Sequence, residues 1–275
     1  MRDTTLRAIL ATPEGAIGAG ILVLAAALAL AAPVLSPGDP LAMIGRPLLT
    51  PFTESGSPLG TDRLGRDIAA GILHGARESL LTALTVAAVA LLVGSALGTI
   101  AGYLGGLVDE FIMRIADAVQ TVPSFLLALA IVSAAGPSAT GVIAALAASA
   151  WTAPARIVRA EVLSLRQLAF VDASRLFGRH PLAIAFSVVL PNALAPVIAL
   201  AAIIVAGAIL AESALAFLGL ADPNHASWGA MIAEGRSVLR TAPHVILAPG
   251  LALLLTVLAV SLLGEGVAKA IGHRS

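Results

Sequence analysis

Six long apolar runs, near residues 16–35, 79–101, 112–135, 140–152, 193–215 and 245–264, constrain this chain more than any other feature. A helix needs about 20 mostly apolar residues to cross roughly 30 Å of hydrocarbon, and there each backbone polar group must be satisfied within the segment. The runs therefore predict an all-α membrane protein with six transmembrane helices. Composition agrees, since 59% of residues are hydrophobic and only 12% charged, against roughly 25% charged in soluble domains. The fourth run is the weakest, being short and ending on "WTAPAR", with a continuation into the polar stretch at 153–192. The first reads as a retained span rather than a cleaved signal peptide: it is longer than a usual signal-peptide apolar region, and its leader carries Asp3 and Glu14.

The chain divides into residues 1–78, holding the leader, the first span and a long polar segment, and residues 79–275, a core of five helices that includes a polar insert at 153–192. With no cysteine, disulfides, thiolate nucleophiles and thiolate zinc sites are excluded. A net charge of zero gives no reason to expect nucleic acid as a partner. Orientation follows the basic residues of the loops. With the N-terminus inside, ten Lys and Arg fall on the inner side and six on the outer, and Arg156, Arg159, Arg166, Arg175 and Arg179 of the insert make up half of the ten. Both termini and the insert are therefore expected in the cytoplasm, and the long polar segment outside.

The insert contains "FVDASRLFGRHPLAIAFSVVLPN" (170–192). "FVDASRLF" can form a short helix, Gly178 can end it in the left-handed conformation, and Pro181 suits the first turn of a following helix. Pro191 is expected to mark where the next span begins anew, because a proline ring clashes with the turn before it. A helix-turn-helix hairpin with Arg175 and Arg179 outward suits docking to another protein; a positively charged loop that only fixes topology is the plainer alternative.

Other features have paired readings. Gly94, Gly98 and Gly102 recur at every fourth position, which lets a second helix approach closely, within this subunit or across a dimer. Asp117 and Gln120 precede Pro123; intramembrane ionisable groups are functional candidates by default, but Asp117 lies near Arg114 and reads as interfacial, with Pro123 a tolerated kink. In "GTDRLGRD", Asp62, Arg63, Arg66 and Asp67 can order the outer segment through ion pairs or meet a binding protein. Glu212 closes the fifth span, "ESALAFLGL" can cap or re-enter the membrane, and Trp228 fits an aromatic at the water interface.

The five histidines lie outside the middles of the predicted spans, and no HExxH pair or GxSxG elbow occurs, so enzyme chemistry and a metal site are not expected. The single lysine, Lys269, lies in "GEGVAKAIG" and cannot complete a phosphate-binding P-loop. An ion-gradient transporter would show two similar halves and broken helices with paired charges, and no such repeat is present. If transport is ATP-driven, the motor is another polypeptide.

Asp172-Ala173-Ser174, three residues, Gly178, nine residues, then Val188-Val189-Leu190-Pro191 resembles the "EAA" loop of ATP-binding-cassette importer permeases, with Asp for Glu at 172, Ser for Ala at 174 and Val for Ile at 188. "PLGTDRLGRDIAAGILHGARESL", "GYLGGLVDEFIMRIADAVQTVPSFLLALAIV" and "SWGAMIAEGR" are similar to the dipeptide, oligopeptide and nickel permease subfamily. The resemblance implies a six-helix permease with a cytoplasmic hairpin between helices 4 and 5, in a bacterial cytoplasmic (inner) membrane. It implies as partners a second homologous permease, two ABC ATPases that hold the ATP and magnesium, and an extracytoplasmic solute-binding protein. Asp172, Ala173, Ser174, Arg175, Gly178, Leu190 and Pro191 then form the ATPase-coupling loop. The substrate is expected to be a peptide or related small solute, with nickel or a metal chelate as the alternative; no substrate-binding residue is identified.

Overall fold

The computed structural model describes residues 7–272, and the regular structure among them is helical apart from an isolated bridge between Thr61 and Asp67. The elements are α1 (Pro13–Leu35), α2 (Ile68–Leu104), α3 (Gly106–Thr121), α4 (Ser124–Ala135), α5 (Ala139–Leu165), α6 (Ala169–Leu176), α7 (Pro181–Ala193), α8 (Ala195–Phe217), α9 (Trp228–Gly235) and α10 (His244–Gly272). Five of them are long and apolar enough to span a membrane, and α3 with α4 makes a sixth, broken span. Side chains cap several starts. Thr12 accepts from the Gly15 N–H at 3.1 Å, Asp67 from Ala69 at 3.0 Å and Ser138 from Gly141 at 3.1 Å, each satisfying a donor the helix cannot satisfy itself.

The helices depart from the sequence expectation in two places. The second span starts at Ile68 rather than 79, because the Asp67 cap begins the helix and Ile68, Ala70 and Gly71 are buried. At 37 residues it is about 55 Å long, well beyond the hydrocarbon thickness. The third span is not one kinked helix. Val122, held extended before Pro123 (φ −94°, ψ 129°), ends α3, and α4 resumes at 86° to it; a residue preceding proline is pushed out of helical geometry. The fourth span, weakest as an apolar run at 140–152 but expected to continue into the polar insert, runs unbroken for 27 residues, since Trp151 keeps helical dihedrals (φ −67°, ψ −22°).

Two buried clusters organise the bundle. The larger joins α2, α4, α5, α8 and α10 through Val86, Val132, Leu146, Ile209, Leu215 and Val260. The smaller joins the C-terminal end of α2 to α5, α6 and α7 through Tyr103, Val158, Val162, Val171, Ile184 and Val189. Lipid tails are as apolar as these side chains, so close van der Waals contact must hold such helices together. The contact between α2 and α5 is the closest kind. A Cβ on Gly94 or Gly98 would overlap the carbonyl oxygen of Trp151 or Ala155, and one on Gly102 would stand 2.9 Å from the Arg159 oxygen. The glycine stripe thus packs within the subunit.

Charge pairs reinforce the same pair of helices from α3. Asp109 receives Nε and Nη2 of Arg159 at 2.5 and 2.6 Å, Asp117 pairs with Arg156, and Gln120 donates to the Thr152 hydroxyl at 2.9 Å. The structural reading of Asp117 therefore holds. On the far side of the bundle, Gly18 of α1 lies against the Ala259–Leu263 backbone of α10, and Lys269 meets Glu14 at 2.6 Å and Glu265 at 3.0 Å.

The segment between α1 and α2 is held by hydrogen bonds more than by ion pairs. Thr61 donates its N–H to Leu49, Leu48 donates to the Asp62 carbonyl, and the Asp62 carboxylate accepts from Leu64 and Arg66 at 2.7 and 2.9 Å. One ion pair, Arg66 to Glu234 at 3.2 Å, ties it to α9. Trp228 is not an interface marker. It is 2% exposed, with its indole N–H donating to the Ile72 carbonyl at 3.1 Å. Glu212 does not end its helix either: α8 continues to Phe217, and the carboxylate is buried against the Ser79 hydroxyl at 3.2 Å. "ESALAFLGL" therefore continues the span, ending where Gly219 turns with φ +80°.

Two outcomes follow. Replacing Gly98 with Leu is expected to prevent α2 from seating on α5, costing more than the roughly 1–3 kcal/mol of ordinary overpacking, because the obstructing atom is backbone. Gly207→Ala, whose Cβ meets open space, should leave the melting temperature in detergent unchanged. Arg159→Lys should destabilise by about 1–2 kcal/mol, nearly as much as Arg159→Ala, because lysine cannot reproduce the two-pronged contact with half-buried Asp109; the same thermal measurement checks it.

Candidate functional site

The hairpin of α6 and α7 forms for local reasons. Leu168 is extended (φ −84°, ψ 147°), α6 runs for two turns, and Phe177 and Gly178 close it, Gly178 with φ +70°. That left-handed value is one a glycine adopts without steric cost. His180 then caps α7, its ring nitrogen accepting from the Leu182 N–H at 3.3 Å, and Pro181 occupies the first turn. These are the positions expected of Gly178 and Pro181.

Pro191 follows the expectation only in part. Pro191 lies in the first turn of a short α-helical segment, Leu190–Ala193, that ends α7, and the span itself begins only at Ala195. Just before it, Ala185–Val189 form a π-helical turn. A wider turn moves the preceding carbonyls out of register with the ring, which removes the clash that an α-helical turn would impose. The break comes at Leu194 (φ −79°, ψ −13°), with Pro196 in the first turn of α8.

The side chains of the predicted loop fall into two groups. Val171, Ile184, Ala185 and Val189 are fully buried in the smaller cluster and fix the hairpin to the bundle. Ala173, Leu176, Phe177, Gly178 and Pro191 face outward; Leu176 and Phe177 are 89% and 84% exposed. Among the described residues, nothing comes within 4 Å of where a Gly178 Cβ would stand. Ser174 turns back on its own helix, donating to Phe170 at 3.0 Å, and Leu190 is half-buried. Asp172 reaches only as far as Arg175, 2.9 Å away one turn later, which is the contact its shortened side chain makes within the subunit.

Arg175 is exposed as expected, with 46% of its side chain accessible, but its guanidinium is also held within the subunit. It folds back over the Tyr103 ring, 5.6 Å from the ring centre, with Nε 3.4 Å from the Tyr103 hydroxyl and Nη2 3.3 Å from the Arg166 carbonyl. The Tyr103 hydroxyl, and after it Asp172, raise Arg175 above the ordinary arginine value, so its charge is constant at any working pH. Arg179 is exposed, as expected, and donates across the hairpin to the exposed Ser187 hydroxyl at 3.1 Å. At the tip, exposed Leu176 and Phe177 therefore add an apolar surface beside the expected basic one. Tyr103, the one tyrosine of the chain, was missed by sequence reasoning. It lies some 70 residues from Arg175 in an apolar run, and only the aromatic hydroxyl at a helix end hinted at it.

A cavity of about 320 Å³ opens where α4 begins, bordered by Ser124, Phe125, Ser149, Leu200, Ile203 and Gly207 among others. No charged side chain lines it, so it offers no ionic hold to a passing solute.

This arrangement has counterparts. Residues 94–275 match the family described as binding-protein-dependent transport system inner membrane component. The di/tripeptide transport system permease protein DppC of Pseudomonas aeruginosa is 40% identical over 265 residues, covering 94% of this chain and 88% of that protein. The glutathione transport system permease protein GsiD of Pectobacterium atrosepticum is 38% identical over 258 residues, covering 93% and 86%. Among solved structures, a chain of the MetNI methionine ABC transporter in an inward-facing conformation aligns with a TM-score of 0.58 and 17% identity, over 73% of this chain and 96% of that one. Together with the all-helical bundle, these matches place the chain in the family of binding-protein-dependent transport system inner membrane components.

Proposed function

We propose that this chain is the membrane-spanning permease subunit of an ATP-driven importer that takes up peptides, and that the hairpin of α6 and α7 is where its ATPase docks. The observation that carries the docking role is the tip itself. Leu176 and Phe177 are almost fully exposed beside a turn glycine with open space around it, on a hairpin whose base is anchored by fully buried side chains. A braced apolar projection of this kind fits a cleft in another protein. Two relatives at 38–40% identity, named for di/tripeptide and glutathione transport, support a peptide as the solute.

The subunit supplies no nucleotide site of its own: its single lysine is engaged by Glu14 and Glu265. ATP and magnesium belong to two partner ATPases. A second permease completes the pathway, and a solute-binding protein delivers the peptide from the opposite face of a bacterial inner membrane, where the 36–67 segment and α9 lie. Both termini are then cytoplasmic, on the side of the hairpin. Closure of the ATPases on ATP moves the hairpin, and the helices reorient between outward and inward openings. An uncharged cavity suits this division of labour, because selection by the binding protein leaves the permease only to provide passage.

The test is Gly178→Trp in the assembled transporter. Strain at a left-handed φ is about 1–2 kcal/mol, and no described atom lies within 4 Å of the Gly178 Cβ position, so assembly should persist while peptide uptake falls at least tenfold. Gly178→Asn, which tolerates the same φ, should retain most uptake. Normal uptake by Gly178→Trp at normal assembly would refute the docking role.

A further inference from the structure

Resting on that reading of the hairpin, we infer that Tyr103 is a positioning residue that delivers the hairpin's movement to α2 and α5 as one body, rather than letting it pass along the chain through α7 into α8. Three observations converge on this. Arg175, on the docking helix, is half-exposed, and every contact of its guanidinium within the subunit points back toward the bundle: the Tyr103 ring and hydroxyl, the Arg166 carbonyl and Asp172. Its planar group over an aromatic face is a directional contact that a flexible ammonium does not replace. Arg175 therefore reads as a clasp from α6 onto the last turn of α2, not as a contact offered to the partner.

The receiving side of the clasp is rigid. Arg166, at the end of α5, donates to the carbonyls of Gly102 and Tyr103 at 2.8 and 3.3 Å, which are among the last carbonyls of α2 without helical partners. Beneath it, Gly94, Gly98 and Gly102 bring α2 against the α5 backbone with no room for a methyl group. Interiors packed this closely shift as units and do not deform continuously. A displacement applied to Tyr103 is thus applied to both helices.

The alternative route is compliant. Between the hairpin and α8 the chain passes a π turn at Ala185–Val189, Pro191, a break at Leu194 and Pro196. Each interrupts the regular hydrogen-bond ladder, and such places are where helices bend. Motion fed into α7 is absorbed there before it reaches α8.

The test uses the complete transporter reconstituted in lipid vesicles, with peptide uptake and ATP hydrolysis measured together using a radiolabelled dipeptide. Tyr103→Leu is expected to keep ATP hydrolysis within about twofold and to lower peptide carried per ATP at least fivefold. Tyr103→Phe, which keeps the ring, should restore more than half of the ratio; a residue that only filled space would give the same result with Leu and Phe. A second readout does not depend on the solute. The chain has no native cysteine, so spin labels at L92C on α2 and L210C on α8, both at exposed positions, report one distance. Trapping with ATP and vanadate should change it by on the order of 2 Å in the parent and leave it fixed in Tyr103→Leu. An unchanged uptake ratio in Tyr103→Leu, or an unchanged distance in the parent, overturns the inference. If Tyr103→Leu does not assemble, Tyr103→Met, which also removes the ring and hydroxyl, makes the same comparison with the same expected outcomes. Gly178→Trp run in parallel separates the two claims: if it uncouples while Tyr103→Leu does not, only the route through Tyr103 is wrong, and if it too is silent, the docking reading itself fails.

Discussion

Backbone contact between α2 and α5 is the constraint on which the rest of the subunit depends. In water, burying apolar area would drive two such helices together; in lipid that gain is largely absent, and shape must replace it. Three glycines at every fourth position provide a flat face on α2, and the carbonyls of Trp151, Ala155 and Arg159 lie against it. Everything nearby is referenced to this seam. α3 is tied to α5 by Asp109 and Asp117, Arg166 seals the end of α2, and the smaller cluster receives the hairpin around Tyr103 and Val162. The broken third span belongs to the same scheme, since its two halves make separate contacts on either side of Pro123.

How much of this was legible in the sequence depended on whether the cause was local. Gly178 and Pro181 could be placed because a left-handed turn and a first-turn proline are properties of one or two residues. The glycine stripe announced close packing by its period alone, but its partner could not be read, since the facing surface on α5 is backbone carbonyl and leaves no trace in side-chain identity. The reach of α5 beyond "WTAPAR" was only weakly marked for the opposite reason: polar residues lower hydropathy without opposing a helix, and Trp151 keeps helical dihedrals. Pro191 was read only in part, because the rule for proline in an α-helix was applied where the helix widens into a π turn.

Within the candidate site the same division holds. The positions of the hairpin residues followed from spacing, while the direction of their side chains did not. Arg175 and Arg179 were expected outward because arginines at a membrane face usually meet water, and both are exposed, but Arg175 in addition lies against Tyr103. Trp228 shows the converse, an aromatic that suited the interface by type but is buried with its N–H satisfied by Ile72. For Arg175 and Trp228 a contact more than seventy residues away in the chain decided the outcome.

The π turn at Ala185–Val189 has a consequence for helical phase. It accommodates one residue more than an α-helical turn of the same rise, so it offsets the face that follows by about 100°, the rotation of one residue. Point substitutions within 185–189 leave the count intact and the phase with it. A single-residue deletion there would restore regular helical geometry locally, yet it would turn the hairpin away from α8 by nearly a third of a revolution. Chain length in this short stretch is thus under tighter constraint than residue identity.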